Sequence, residues 1–163
     1  MTGLVAPAPA ADPVAASVGA DGWFPNIALA DIRAQVRLGE GVVTTERLIA
    51  AIEGAMVSAF RALKDWRTAR ASDGAAQLAD VTTEQINGQN AAELIWQRVI
   101  RFYTAAELAD LHRDVSASDD GLDRAEEKER TADDYRRLAY HAVADLISIG
   151  EEEPKPRNRV SLI

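Results

Sequence analysis

Residues 44–70 read TTERLIAAIEGAMVSAFRALKDWRTAR. Leu48, Ile52, Met56 (or Ala55), Ala59, Leu63 and Trp66 recur every three to four positions, the spacing of one apolar face on an α-helix. Thr44 or Thr45 suits the N-cap, where a side-chain oxygen accepts from an unpaired backbone N–H, and Glu46 complements the positive end of the helix dipole. A helix continuing to Arg70 has roughly 25 residues and a length of ~38 Å. That is long for a small domain, so its apolar stripe must be covered by other helices.

The flanking sequence supplies them. Upstream, residues 22–41 read GWFPNIALADIRAQVRLGEG. Trp23 and Phe24 are expected to leave water, Pro25 fixes the chain direction, and Ile32 and Val36 share a face of a short helix around 29–38. Gly39 and Gly41 end it, since glycine tolerates the left-handed cap. Downstream, residues 71–89 read as a loop, with SDG and NGQN as turn signals. Leu78, Val81 and Ile86 are expected to pin this loop to the core, and Thr82 with Gln85 could cap a single turn.

A third helix is predicted over 90–113. Asn90 is its cap, Glu93 stands at the reciprocal position, and Leu94, Ile95, Val99, Phe102, Tyr103, Ala106 and Leu111 form its buried side. A fourth begins between Asp120 and Asp123, or restarts at Thr131. It carries Tyr135, Leu138, Ala139, Ala142, Val143 and Leu146 inward and ends at Gly150. The reading is therefore an all-α bundle of three long helices and one short one over 23–150, with no strand before the last few residues. Residues 1–22, rich in Ala and Pro, read as a disordered or extended arm, and residues 151–163 as an extended tail.

Composition narrows the function. The 163 residues fit one domain, and 47% apolar with 27% charged residues is ordinary for a globular protein. The net charge of -8 argues against a nucleic-acid grip, because neutralising phosphates needs clustered Lys and Arg. It leaves room for a protein that surrounds DNA without holding it. The chain has no cysteine, which removes disulfides and thiolate metal sites. The start, with no Lys or Arg and with Pro7, Pro9 and Pro13, is unlike a secretory signal, and no window approaches a membrane span. A cytosolic protein is expected. His112 and His141 stand alone on their helices, with neither a serine in a nucleophile turn nor Glu-x-x-His spacing beside them. Neither catalysis nor a metal or other cofactor is indicated.

Two features remain. Asp119, Asp120, Asp123, Glu126, Glu127, Glu129, Asp133 and Asp134 outnumber Arg124, Lys128 and Arg130 over 119–134. They form either a solvated face with partial i,i+4 pairing or an interface or acidic channel wall in an oligomer. The chain then closes on PKPRNRVSLI, residues 154–163. Pro154 and Pro156 prevent a helix, and Val160 and Leu162 would share one side of an extended segment. That pattern suits addition to the exposed sheet edge of another protein.

The order of motifs is itself informative. WFPNIALADIRAQVRLG, VTTERLIAAIEGAM, DWR, LADVTTEQINGQN, WQRVIRFYTAAELADLHRDVSA and a terminal RNRVSLI follow one another as in the head completion proteins of P2-like tailed phages, which the chain resembles over roughly 23–163. The resemblance implies a helical head-to-tail adaptor of the virion neck, without enzymatic activity and assembled in the host cytoplasm. It implies a ring, expected dodecameric, that binds the portal after packaging, prolongs the DNA channel and receives the next connector or tail completion protein. DNA would pass without specific binding. Carried over by position, the portal contact falls on Arg157, Asn158, Arg159, Val160, Ser161, Leu162 and Ile163. The runner-up is a small terminase subunit, but no basic recognition helix follows the turns at 39–44 or 71–89.

Overall fold

The computed structural model describes residues 16–36, 43–113 and 121–150. In chain order these form β1 (Ser17–Val18), β2 (Ile27–Ala28), α1 (Leu29–Gln35), α2 (Thr45–Ser72), a 3-10 turn (Leu78–Val81), β3 (Gln85–Ile86), β4 (Gln89–Asn90), α3 (Ala91–Arg113) and α4 (Gly121–Ile147). The fold is all-α, with three long helices and a short one among the described residues. The central helix is α3, packed against α2 on one side and more extensively against α4 on the other.

The stripe on α2 is buried as its spacing requires. Leu48, Ile52, Ala55, Ala59 and Leu63 are fully shielded, and Met56 and Trp66 nearly so. The Thr44 hydroxyl accepts from the Arg47 N–H at 3.4 Å, giving the expected cap. On α4, Ala139, Ala142, Val143 and Leu146 are buried, and the helix runs out into Gly150 at φ 78°, the left-handed geometry that glycine adopts freely.

An aromatic cluster joins the N-terminal segment to the helices. Phe24 packs on both Trp96 and Phe60, with ring centroids 4.2 and 5.5 Å away in stacked geometry. Trp23 meets Phe24 edge-on at 4.8 Å and Trp66 at 6.0 Å. Hydrogen bonds hold the rings in place: the Trp96 indole donates to the Pro25 carbonyl at 3.0 Å, and the Trp23 indole to the Ala75 carbonyl at 3.1 Å. Asp21 shapes the approach, accepting from the N–H groups of Trp23 and Phe24 at 3.2 and 3.1 Å and pairing with Arg67 at 2.5 Å.

Asn90 performs two tasks. Its side-chain oxygen accepts from the N–H groups of Ala92 and Glu93, capping α3, while its amide donates to the carbonyls of Ala79 and Thr82 at 3.0 and 2.9 Å. The helix start is thereby tied to the preceding loop. Asn90→Ala should cost about 1–2 kcal/mol, at the upper end for a cap, because two loop carbonyls lose their donor as well. Urea denaturation checks this; a loss of less than half a kcal/mol would remove the second role.

Several expectations need correction. Residues 16–22 belong to the fold rather than to a free arm: β1 pairs antiparallel with β2 and Val18 is buried, since the chain must return beside Ile27 to cover the end of the aromatic cluster. Helix α1 stops at Gln35, short of the expected 38; Gly39 and Gly41 lie outside the described residues. Within 71–89, Leu78 is buried but Ile86 is 52% exposed, because β3 and β4 make a two-residue hairpin with Asn87 and Gly88 both at positive φ. Such a turn suits strand twist and carries Ile86 outward. The turn that is capped is the 3-10 turn, through Gln77 and Asp80 rather than Thr82 and Gln85. On α3 the predicted Val99, Tyr103 and Ala106 are buried and Ile95 and Phe102 pack against the core, while Leu111 is exposed; Trp96, Ile100 and Leu108 are buried as well, because this central helix is covered by α2 on one side and α4 on the other.

Candidate interaction surfaces

The outer face of α2 is cationic. Arg61, Lys64 and Arg67 stand three residues apart and, with Thr68 and Ser72, line an open cleft of about 790 Å³ whose floor includes Phe24 and Phe60. Among the described residues no carboxylate lines it. Arg67 is committed to Asp21 and lies over the Trp23 and Phe24 rings at 5.6 and 5.8 Å. Arg61 and Lys64, by contrast, have no acidic partner among the described residues. Val57, one turn before Arg61, is 58% exposed.

Arg61 also borders a smaller cleft of about 230 Å³, where α2 meets Tyr103 and Glu107 of α3 and Arg136 and Tyr140 of α4. Tyr103 and Tyr140 meet edge-on at 6.1 Å. Burial, aided by Tyr140, pushes the Tyr103 hydroxyl up to about 12 from 10.0. The folded state thus disfavours the phenolate, and stability should fall as pH rises above about 10, where the unfolded chain ionises more readily. Tyr103→Phe should flatten that decline, followed by thermal unfolding at pH 9 to 11. Arg136 links α4 to Asp110 of α3 and to Asp133. Burial opposes its charge, but the hydrogen bond to Asp133 and the carboxylates of Asp110 and Glu107 raise its pKa overall.

Asp133 and Asp134 are exposed and paired within α4 with Arg136 and Arg137, each at 2.7 Å, which is the solvated-face arrangement for those two. Asp123, Glu126, Glu127 and Glu129 lie on the first half of α4. Asp119, Asp120 and the tail residues Arg157, Asn158, Arg159, Val160, Ser161, Leu162 and Ile163 lie outside the described residues. Among the described residues no group of three potential metal ligands converges, and no helix is long and apolar enough to cross a membrane.

Comparison with known proteins decides the family. The family described as "Phage head completion protein (GPL)" matches residues 18–155. The head completion/stabilization protein of Escherichia phage P2 is 31% identical over 141 residues, covering 86% of this chain and 79% of that protein. The chain belongs to the phage head completion protein family. No solved structure matches it significantly. Membership gives the chain a structural role in virion assembly. The family match begins at residue 18, at β1, and ends at 155, before residues 157–163.

For a head completion protein the cationic face of α2 was the feature missed in the sequence. Its signal is the spacing of Arg61, Lys64 and Thr68, which shares a helical face with Val57 opposite the apolar stripe.

Proposed function

We propose that this chain is a head-to-tail adaptor that assembles as a ring, dodecameric by family resemblance, beneath the portal of a tailed phage. The ring extends the DNA channel and offers its distal face to the next connector or tail completion protein. The observation that carries this reading is the family match over 18–155, which spans the whole described bundle. Residues 157–163 serve as the portal contact: two prolines upstream keep the segment extended, which lowers the cost of ordering it on docking, and Val160 and Leu162 supply side chains for one side of an added strand. The carboxylates over 119–134 serve as a channel lining or a contact between copies. An acidic lining would let DNA slide, since favourable phosphate contacts would retard it.

The test mixes the purified protein with the portal ring of the same phage and follows mass by size-exclusion chromatography with light scattering. A fixed stoichiometric complex is expected. No complex would remove the portal as direct partner. Tight duplex binding in a low-salt gel shift would favour the packaging-protein alternative.

A further inference from the structure

The connection between α2 and α3 carries charge of one sign. Residues 71–97 hold Asp73, Asp80, Glu84 and Glu93 and no Lys or Arg. Within this stretch the β3–β4 hairpin leaves residues 83–89 exposed. Ile86 is 52% exposed, and Glu84 stands two positions before it, the spacing that places side chains on one side of a strand. The Ala91 N–H donates to the Glu84 carbonyl at 2.9 Å, which carries the ladder one pair beyond Gln85 and Asn90. Glu84 has no cationic partner among the described residues. The Asn90 amide ties the base of the hairpin to the carbonyls of Ala79 and Thr82. Its tip is thus held ready, an aliphatic side chain with a carboxylate beside it, at little cost of ordering.

The cleft on α2 offers the converse. Arg61 and Lys64 on its rim are exposed and lack acidic partners among the described residues. Phe60, half-buried, and Ala71 give it an apolar wall. Val57, 58% exposed, extends that surface by one turn towards the start of α2. Two free cations around an apolar patch fit a carboxylate next to an aliphatic side chain. They fit duplex DNA poorly, because tracking a phosphate backbone needs a longer run of cations and no apolar floor. With a net charge of -8, copies of this chain repel one another in bulk, so a contact between copies must bring unlike charges together. Both halves of such a contact stand on the described surface. We infer that the α2 cleft of one copy receives the β3–β4 hairpin of another, with Ile86 against Phe60 and Val57 and Glu84 between Arg61 and Lys64.

Such a contact joins two different surfaces, so each copy offers one cleft and one hairpin. Heterologous contacts of this kind propagate from copy to copy and close where the rotation permits. This pairing rests on the proposal that copies assemble with one another, and it names the surfaces through which they do so.

Because the chain has no cysteine, single cysteines report the contact in the full-length protein. Thr68, on the cleft, and Gln89, opposite Ile86 in the hairpin, are both exposed. Thr68→Cys in one tagged copy and Gln89→Cys in a differently tagged copy are mixed at high concentration and low salt under mild oxidation. A disulfide-linked pair carrying both tags is expected. Ala69→Cys, exposed but about 100° round α2 from Thr68, should form much less of it. Adding Arg61→Glu and Lys64→Glu to the cleft copy should reduce the yield about tenfold, and Glu84→Lys in the hairpin copy should then restore most of it. Ile86→Asp against the unaltered cleft should also lower the yield about tenfold. Circular dichroism confirms that each variant folds. Cross-linking that is absent, equal from Ala69→Cys, or unchanged by the charge reversals overturns the contact. So does a cleft reversal that abolishes duplex DNA binding and leaves the cross-link intact. Portal association of the wild type is scored separately, so loss of the adaptor reading and loss of this contact are distinguishable.

Discussion

Replacing Trp96 with alanine should destabilise the protein by about 3–5 kcal/mol, the range for removing a buried large aromatic side chain. Trp96 is fully buried and stacks on Phe24 at 4.2 Å and on Phe60 at 6.0 Å. It belongs to α3, Phe60 to α2 and Phe24 to the entering segment, so a single cavity would loosen three parts of the fold. Two further losses follow. Phe24, itself only 2% exposed, would lose its closest stacking partner, and the Pro25 carbonyl would lose its indole donor. Trp96→Phe separates these effects, since it keeps a ring in the stack but removes the donor. A smaller cost of about 1–2 kcal/mol is expected, near that of one unmet buried hydrogen bond plus a modest volume change. Urea titration followed by circular dichroism reads both. A loss below about 1 kcal/mol for Trp96→Ala would mean that the cluster is not the centre of the core.

Removing residues 154–163 should abolish portal association, by a hundredfold or more in affinity (roughly 3 kcal/mol), with helical content and unfolding midpoint unchanged. The expectation follows from the proposed role of the segment. Ten residues can reach ~33 Å when extended, far enough to leave their own domain for a neighbouring protein. The described helical domain ends at Gly150, and among the described residues α4 delivers its last fully buried side chain at Leu146. Backbone hydrogen bonds to a sheet edge would provide affinity, and alternate side chains selectivity. The cations Lys155, Arg157 and Arg159 would add a salt-dependent part. A narrower change, Val160→Asp with Leu162→Asp, should reproduce most of the loss if strand addition is the mode. Unchanged stoichiometry with the truncated protein would transfer the portal contact to the helical domain. A truncated protein that unfolds earlier would instead make the segment part of the fold.

The two experiments are independent by design. The first perturbs the aromatic cluster, at the entry to the bundle. The second perturbs a segment after the last helix. Variants at Arg61 and Lys64 are expected to leave both readouts in place, since neither side chain is buried and neither lies in the proposed portal contact.

Local pattern alone determined the class of this protein and the extents of its long helices. The stripe from Leu48 to Trp66, the caps at Thr44 and Asn90 and the glycine at 150 act within one or two turns of chain, so their spacing can be read without a fold. The order of short motifs determined the family for a similar reason, since it needs no coordinates. What the tertiary structure decided were matters of rotation and pairing between distant segments. Trp96 reads as one apolar residue among many on α3, and only the position of Phe24 and Pro25, more than seventy residues earlier, makes it a centre of the core. Likewise, Ser17 and Val18 become part of the fold because Ile27 and Ala28 stand beside them, a two-residue pairing too short to leave a periodic signal. The cleft on α2 arises the same way: its cations lie on one helical face in the sequence, but its aromatic floor requires Phe24 to be brought beneath them by the return of the N-terminal segment. Burial against a partner segment is a property of the packed molecule, and no local spacing encodes it.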